Sequence, residues 1–262
     1  SFRFVFAPMV HWPEVMVSFD VTDGTLFSAD AFGTFGALDG NLFADEINFV
    51  SEKLPEARRY YANIVGKYGA PVQALLKKAA ALPVKTVCPL HGPVWRENIA
   101  WFVDKYDKWS SYTPEENAVA IFYGSVYGHT QEAAEILASC LADLEVKNIK
   151  VYDVSAQHSS YLVAEAFRCS HLVFASSTYN AGIFENMDIL IDDLIKHALQ
   201  NRKVALIENG SWAPSAGKVM LAALAEMKDV AVLEPMVSIR SAVSEETATK
   251  LNELADALAA RG

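Results

Sequence analysis

The chain has 262 residues, of which 52% are hydrophobic and 21% charged, a balance typical of a globular protein with ample core. Its formal net charge of −10 argues against nucleic acid as a partner, because phosphate backbones are bound by clustered positive charge. No apolar run reaches the roughly 18 residues that span a bilayer, and the start, SFRFVFAPMV, is unlike a secretory leader. We therefore expect a cytoplasmic protein with no membrane partner, in which Cys88, Cys140 and Cys169 are reduced thiols.

The first part of the chain combines short strands with a helical stretch. Strands are predicted within FRFVFAPMV, VMVSFDVTDGTLFSADAF and KTVCPLHG, and Asp23-Gly24 predicts a hairpin turn. A mostly polar, helical stretch lies between them, from about residue 45 to 82. The segment 105–117 is polar and turn-rich, so we place the domain boundary there, with a first domain at 1–110 and a second at 117–262.

The second part alternates apolar strands with amphipathic helices. Strands are predicted at 118–125, 148–155, 171–178, 203–211 and 230–239, and a helix follows each of them. The strands are too apolar to have one face in water. This pattern indicates a parallel sheet covered by helices on both sides.

Three loops follow strands of this predicted sheet, at 124–130, 176–184 and 208–217. In an open parallel sheet, ligands bind beyond the carboxyl ends of the strands. The first loop, GSVYGHT, offers hydroxyls, a flexible glycine and backbone N–H groups at a helix start, which can hold a phosphate without lysine or arginine. Neither GxxxxGK[ST] nor GxGxxG occurs, which argues against a nucleoside triphosphate.

The other two loops carry Tyr179 and Trp212 beside glycine and asparagine. A flat heteroaromatic ring is bound by aromatic faces and backbone hydrogen bonds, and these loops can offer both. Taken singly, each aromatic is better explained as an ordinary loop residue. Three matched loops at successive strand ends favour a shared binding site.

The segment 117–262 resembles the flavodoxin family, whose phosphate-loop pattern [ST]-x-[ST/Y]-G-[NH]-[ST] is matched by SVYGHT. His129 stands where asparagine is common in that family. The resemblance implies FMN as cofactor and a five-stranded parallel sheet of order 2-1-3-4-5. The predicted FMN-binding residues are Ser125, Val126, Tyr127, Gly128, His129, Thr130, Ser177, Thr178, Tyr179, Asn180, Ala181, Gly182, Asn209, Gly210, Ser211 and Trp212.

Three residues of the first part are candidate metal ligands: His11 in MVHWPE, Asp30 in LFSADAFG and His91 in CPLHGPVW. Each histidine lies beside a turn-forming proline, where its side chain can project into a cleft. A carboxylate directly after an apolar strand is costly to bury unless it is paired or bound to a metal. A capped turn acid and hydrogen-bonded histidines are the plainer alternative for each residue alone.

Over its whole length the chain resembles the flavo-diiron proteins, which join a metallo-β-lactamase-like domain to a flavodoxin-like one. HWPEVM, LFSADAFG and LHGPVWR match three signature segments in the right order. The resemblance implies that His11 binds one iron, His91 the other, and Asp30 bridges both. It also implies that FMN passes electrons to a di-iron site that reduces O2 to water, NO to N2O, or both, in a head-to-tail homodimer.

The family's first ligand cluster, H-x-E-x-D-H, does not occur and would lie upstream of residue 1. We therefore expect an iron site with too few ligands, and an αββα metallo-β-lactamase-like region that is only partial. The amino-terminal half is then expected to be missing from this chain, which would be a truncated or cleaved form or would have that half as a separate polypeptide. In that case the inner faces of FRFVF and VMVSF would form an exposed apolar patch.

The expected function is that of an FMN- and iron-dependent O2 or NO reductase. The sequence ends without the CxxC…CxxC of a fused rubredoxin, so we expect a separate donor, either a rubredoxin-like protein or a flavin reductase. One alternative is a flavodoxin-like electron carrier with a vestigial metal domain. Another is a zinc hydrolase of the metallo-β-lactamase type, against which the flavin domain argues.

Overall fold

The structure is a computed structural model that describes residues 1–260, so the last two residues of the predicted second domain lie outside it. The chain separates into two compact units, Ser1–Thr113 and Pro114–Gly262. The polar segment predicted to be turn-rich is helical as far as Ser110. Phe102, Tyr106 and Trp109 are all buried at a spacing of three to four residues, so the polar residues between them lie on the outer face of a helix.

The first unit contains one four-stranded sheet in the order β1-β2-β3-β4. Its strands are β1 (Phe2–Phe6), β2 (Met16–Asp20), β3 (Thr25–Ala29) and β4 (Thr86–Pro89). The pairs β1/β2 and β2/β3 are antiparallel, and β3/β4 is parallel. As the Asp-Gly pair predicts, Gly24 lies in the β2–β3 turn, with φ at +81°.

Four α-helices complete the described part of this unit: α1 (Phe49–Glu52), α2 (Leu54–Tyr60), α3 (Gly69–Ala79) and α4 (Ile99–Ser110). A π-helical turn and a 3₁₀ turn connect α2 to α3, and another 3₁₀ turn, Ala44–Glu46, precedes α1. One face of the sheet is buried by Val17, Phe19, Leu26 and Val87. The largest fully buried side chains of the unit are all aromatic, so aromatic packing dominates its core; they belong to Trp109, Tyr61, Tyr106, Phe19 and Phe102.

The opposite face of this sheet is apolar and open. Because side chains alternate between the two faces of a strand, the residues between the buried ones point the other way. We call this surface the apolar sheet face; its members are 40–69% exposed and are Phe2, Phe4, Phe6, Met16 and Phe27. The patch expected from FRFVF and VMVSF is therefore present.

The second unit is built on a parallel sheet in the order β6-β5-β7-β9, with β10 and β11 both pairing with β9. Its strands are β5 (Glu116–Gly124), β6 (Ile149–Asp153), β7 (Cys169–Tyr179), β9 (Arg202–Asn209), β10 (Val230–Val232) and β11 (Val237–Ile239). The short β8 (Gly182–Ile183) pairs antiparallel with the end of β7. The predicted order 2-1-3-4-5 is confirmed, with one difference.

That difference is the fifth strand, predicted as continuous over 230–239 but divided into β10 and β11. The interruption contains Pro235, which has no backbone N–H to donate to a neighbouring strand. Because both segments remain parallel to β9, the break leaves the order of the sheet unchanged.

The helices of this unit are α5 (His129–Asp143), α6 (Ser159–Arg168), α7 (Glu185–Lys196), α8 (Ala216–Leu224) and α9 (Glu245–Ala259). Helices α5 and α9 pack together on one face of the sheet. Helices α6, α7 and α8 form a contiguous layer on the other. Among the described residues, no helix combines the length and apolar character needed to cross a membrane.

Candidate functional site

The carboxylate of Asp30 lies between the two candidate histidines of the first unit. Its Oδ2 is 3.5 Å from His11 Nε2, and its Oδ1 is 3.3 Å from His91 Nε2. The Asp30 side chain is only 14% exposed, whereas His91 is about half exposed. One carboxylate oxygen therefore faces each imidazole, which is the arrangement expected of a carboxylate that bridges two metal ions.

The sheet brings these residues together. Strands β3 and β4 are parallel neighbours. Asp30 follows β3 directly and His91 follows β4 after one residue, so both leave the same edge of the sheet. His11 reaches that edge from the β1–β2 connection. Next to His91, Gly92 has a φ of +90°, and an added Cβ there would lie 2.7 Å from Thr34. The Thr34 N–H donates to His91 O at 3.2 Å, which fixes the backbone at His91.

The donors fit iron in type but not in number. Neutral imidazole and carboxylate are ligands that Fe(II) and Fe(III) accept. Each of two metals would receive one histidine nitrogen and one Asp30 oxygen, whereas tightly bound metals in proteins have three or four protein ligands. In agreement, the described residues contain no group of three or more His, Cys, Asp or Glu side chains able to hold a single ion.

Tyr60 belongs to this site and was not identified from the sequence. Its ring centroid lies 5.6 Å from that of His91, and both residues line a cleft of about 560 Å³ together with His11. Burial, and secondarily the charge of Asp30, raises the pKa of Tyr60. It therefore stays a protonated hydrogen-bond donor. In the sequence it is one of two adjacent tyrosines in a helical stretch, a pattern without any functional signature.

In the second unit, the first predicted loop turns sharply into α5. Gly128 has a φ of +91°, and its N–H donates to Ser125 Oγ at 3.0 Å. An added Cβ at Gly128 would meet nothing within 4 Å, so the turn opens onto free space. The backbone N–H groups that begin α5 lie beside that space, and such groups attract anions.

Hydrogen bonds tie the three loops together at the carboxyl edge of the sheet. Thr130 Oγ1 lies 2.8 Å from Ser177 Oγ, which links the first loop to the second. Thr178 Oγ1 accepts the N–H groups of Ser215 at 3.0 Å and Ala216 at 3.3 Å, which links the second to the third. The structure thus brings the predicted loops to one place.

The predicted FMN-binding residues differ in accessibility. Those exposed are Val126, Tyr127, Gly128, Tyr179, Asn180, Ala181, Ser211 and Trp212; those half-buried are Ser125, His129, Ser177, Thr178, Gly182 and Gly210; those buried are Thr130 and Asn209. The buried Thr130 forms a hydroxyl–hydroxyl hydrogen bond with Ser177, which joins the first loop to the second. Trp212 is 90% exposed and Tyr179 53%, so both rings are available to a ligand.

The electrostatics of the flavin loops fit a phosphate held without cationic side chains. Their segments, GSVYGHT, SSTYNAGIF and ENGSWAPSAG, contain neither lysine nor arginine. The imidazole of His129 lies with Nδ1 3.7 Å from Glu132 Oε2 on the first turn of α5. The donors these loops provide are therefore backbone N–H groups and side chains other than lysine and arginine, which suits FMN.

A second residue missed in the sequence is Ser241, in the turn after β11. The side-chain amide of Asn209 donates to Ser241 O at 2.9 Å and accepts from Ser241 N–H at 3.1 Å. The turn follows the last strand at the same carboxyl edge as the other loops, and that position was the one available signal.

A parallel sheet of order 2-1-3-4-5, with hydroxyl-bearing and aromatic loops at its carboxyl edge, defines a flavodoxin-like domain. In agreement, the flavodoxin family model matches residues 121–247. The match includes all the predicted FMN-binding residues.

The similarity to known proteins extends into the first unit. Over 212 residues the chain is 32% identical to the anaerobic nitric oxide reductase flavorubredoxin of Vibrio vulnificus, a match that covers 80% of this chain and 42% of that protein. The corresponding protein of Aliivibrio fischeri is 31% identical with the same coverage. The chain thus spans less than half the length of these relatives.

Solved structures similar to this one include rubredoxin oxygen:oxidoreductase from Desulfovibrio gigas, with a TM-score of 0.89 and 26% identity over 98% of this chain and 64% of that one. The flavodiiron protein of Giardia intestinalis has the same TM-score at 21% identity, covering 98% and 63%, and shows the shared fold. The resemblance to flavo-diiron proteins is confirmed, and the fold is a partial metallo-β-lactamase-like region followed by a flavodoxin-like domain.

Proposed function

We propose that the chain is the part of a flavo-diiron oxidoreductase that binds FMN and contributes His11, Asp30 and His91 to a two-iron site. The observation that carries this proposal is the Asp30 carboxylate, which offers one oxygen to each of two histidines in a chain that also has the flavin loops. FMN would supply electron transfer, and iron would bind and reduce NO, O2 or both.

At the proposed metal site, the residues of this chain would hold the ions and orient the substrate. Asp30, His11 and His91 would hold the ions, and two donors per ion would leave further positions open to a diatomic substrate. Tyr60 keeps its proton and closes one side of the cleft beside His91.

The open ligand positions and the apolar sheet face have one common explanation. We propose that a further β-rich segment, on the same polypeptide or a separate chain, covers Phe2, Phe4, Phe6, Met16 and Phe27 and adds the remaining iron ligands. Burying each of these half-exposed side chains would contribute on the order of 1 kcal/mol. The contact would then supply both stability and a complete site.

At the flavin site, the first loop would hold the phosphate through backbone N–H groups, while Tyr179 and Trp212 would flank the ring. The electrons would come from a separate donor, either a rubredoxin-type protein or a flavin reductase. The names flavorubredoxin, for the Vibrio vulnificus protein, and rubredoxin oxygen:oxidoreductase, for the Desulfovibrio gigas protein, support the first of these. We further propose a cytoplasmic, head-to-tail homodimer.

A second candidate is a flavodoxin-like electron carrier without a working metal site. The observation that favours it is the supply of only two protein donors per metal among the described residues. In that case the first unit would be a scaffold.

The test measures FMN, iron, and NO and O2 consumption in the purified protein joined by the β-rich segment that covers the apolar sheet face, with Asp30→Asn as the test variant and the exposed Asp39→Asn as control. The proposal expects flavin in all three proteins, and iron with gas consumption in the wild type and Asp39→Asn alone. Bound flavin without iron or gas turnover would establish the carrier instead. Zinc with ester or lactam hydrolysis would indicate a hydrolase, and protein without flavin would refute both flavin functions.

A further inference from the structure

We infer that Ser241 is a positioning residue for the third flavin loop, 208–217, and that it fixes Trp212 for contact with the flavin ring. This inference rests on the proposed binding of FMN. Ser241 lies outside the three loops, in the turn that follows β11.

The backbone of Ser241 is paired with a buried amide. Asn209 Nδ2 donates to Ser241 O at 2.9 Å, and Ser241 N–H donates to Asn209 Oδ1 at 3.1 Å. Asn209 is only 7% exposed, so these bonds satisfy polar atoms that water reaches poorly. Ile239 O accepts the Gly210 N–H at 3.0 Å, which adds a third link between the same two segments.

The side chain of Ser241 extends this link towards the tryptophan. Ser241 Oγ donates to Ser211 Oγ at 2.8 Å, one residue before Trp212. Since Trp212 is 90% exposed, packing does not hold its ring, and the backbone of its neighbours sets where it stands. Ser241 has a φ of +68°, a conformation that a non-glycine residue keeps only when its surroundings enforce it.

The consequence for binding is preorganisation. A loop that is already ordered loses less conformational entropy when a ligand arrives. Because one hydrogen bond contributes modestly, removing the Ser241 hydroxyl should weaken flavin binding by about two- to tenfold. The effect should be equal for FMN and riboflavin, because the loop would contact the ring that both ligands share.

The test titrates flavin-free protein with FMN and with riboflavin, following flavin fluorescence, for Ser241→Ala, Ser211→Ala and the double variant. Ser238→Ala is the control, since Ser238 is an exposed serine on the neighbouring strand β11. We expect both single variants to bind each flavin more weakly by the same factor, and the double variant to be no weaker than either. Bound flavin should fluoresce more brightly in these variants because it is stacked less closely on Trp212, while the thermal midpoint of the flavin-free protein stays near that of the wild type.

The outcomes separate this inference from the proposed function. A wild-type protein that binds neither flavin refutes the FMN site itself. Normal FMN binding in Ser241→Ala, or losses that add in the double variant, would overturn the role of Ser241 alone. A loss confined to FMN would also overturn it, since the defect would then concern the phosphate. If Ser241→Ala fails to fold, Ser211→Ala tests the same hydroxyl pair.

Discussion

Replacing Gly128 by alanine should weaken FMN binding without disturbing the packing of the second unit. Gly128 has a φ of +91° at the start of α5, and an added Cβ there would have no atom within 4 Å. The substitution therefore introduces no steric clash. Its whole effect is the conformational strain of an alanine in left-handed backbone.

That strain amounts to about 1–2 kcal/mol. The loop is exposed, so it can relax when empty, but binding a phosphate would require the N–H groups to return to their present alignment. If the full strain opposes binding, the dissociation constant for FMN rises by about 5- to 30-fold. Asparagine tolerates positive φ better than other non-glycine residues, so Gly128→Asn should retain most of the affinity.

The assay is fluorescence titration of flavin-free protein with FMN, and another glycine supplies the control. Gly40 has a φ of +99° with equally open surroundings, but it lies in the first unit, so Gly40→Ala should leave FMN affinity unchanged. Wild-type affinity in Gly128→Ala, or no advantage of asparagine over alanine, would refute the reasoning.

Three further predictions concern stability. Burial, with a smaller effect from Lys203, lowers the pKa of His171 in the folded protein. The unfolded chain therefore binds a proton more readily as the pH falls below the unfolded pKa of about 6.5, and the folded state loses stability. Urea unfolding should show a smaller free energy of unfolding at pH 5 than at pH 7, and His171→Leu should reduce that difference. Arg168→Met removes the guanidinium whose Nε and Nη2 both donate to Glu165 Oε2, and it should lower the free energy of unfolding by about 3–5 kcal/mol. The double variant Arg168→Met/Glu165→Gln should recover part of this loss, and equal losses in the two variants would contradict the reasoning. Phe4→Thr should change thermal stability little and reduce self-association measured by sedimentation, because Phe4 is 59% exposed. Phe19→Ala, on the buried face of the same sheet, should lower the free energy of unfolding by about 3–5 kcal/mol.

The architecture of the second unit could be predicted because its signals are local. Each strand is a short apolar run followed by an amphipathic helix, and this alternation alone indicates a covered parallel sheet. The order of the strands came from the resemblance to flavodoxins. The sequence contains Pro235, a residue that interrupts strands, within the predicted fifth strand. Only the pairing with β9 shows that the segments on both sides of the interruption remain in the sheet.

The candidate sites depend more on contacts between distant residues. Asp30 and His91 are 61 positions apart, and their common edge follows from the parallel pairing of β3 and β4, which sequence spacing does not encode. The prediction that Asp30 and His91 belong to one metal site came from the resemblance to flavo-diiron proteins. Tyr60 and Ser241 could not be identified from the sequence, because a tyrosine in a helix and a serine in a turn match no functional motif. Their positions beside His91 and Ser211 appear only in the tertiary structure.

The second unit encloses its own interior, because the buried cluster between α5, α9 and the sheet uses only residues from Val119 to Leu258. A gene segment opening at the codon for Pro114 would therefore keep every member of this cluster. Substitutions in the first unit would leave these packed side chains unchanged.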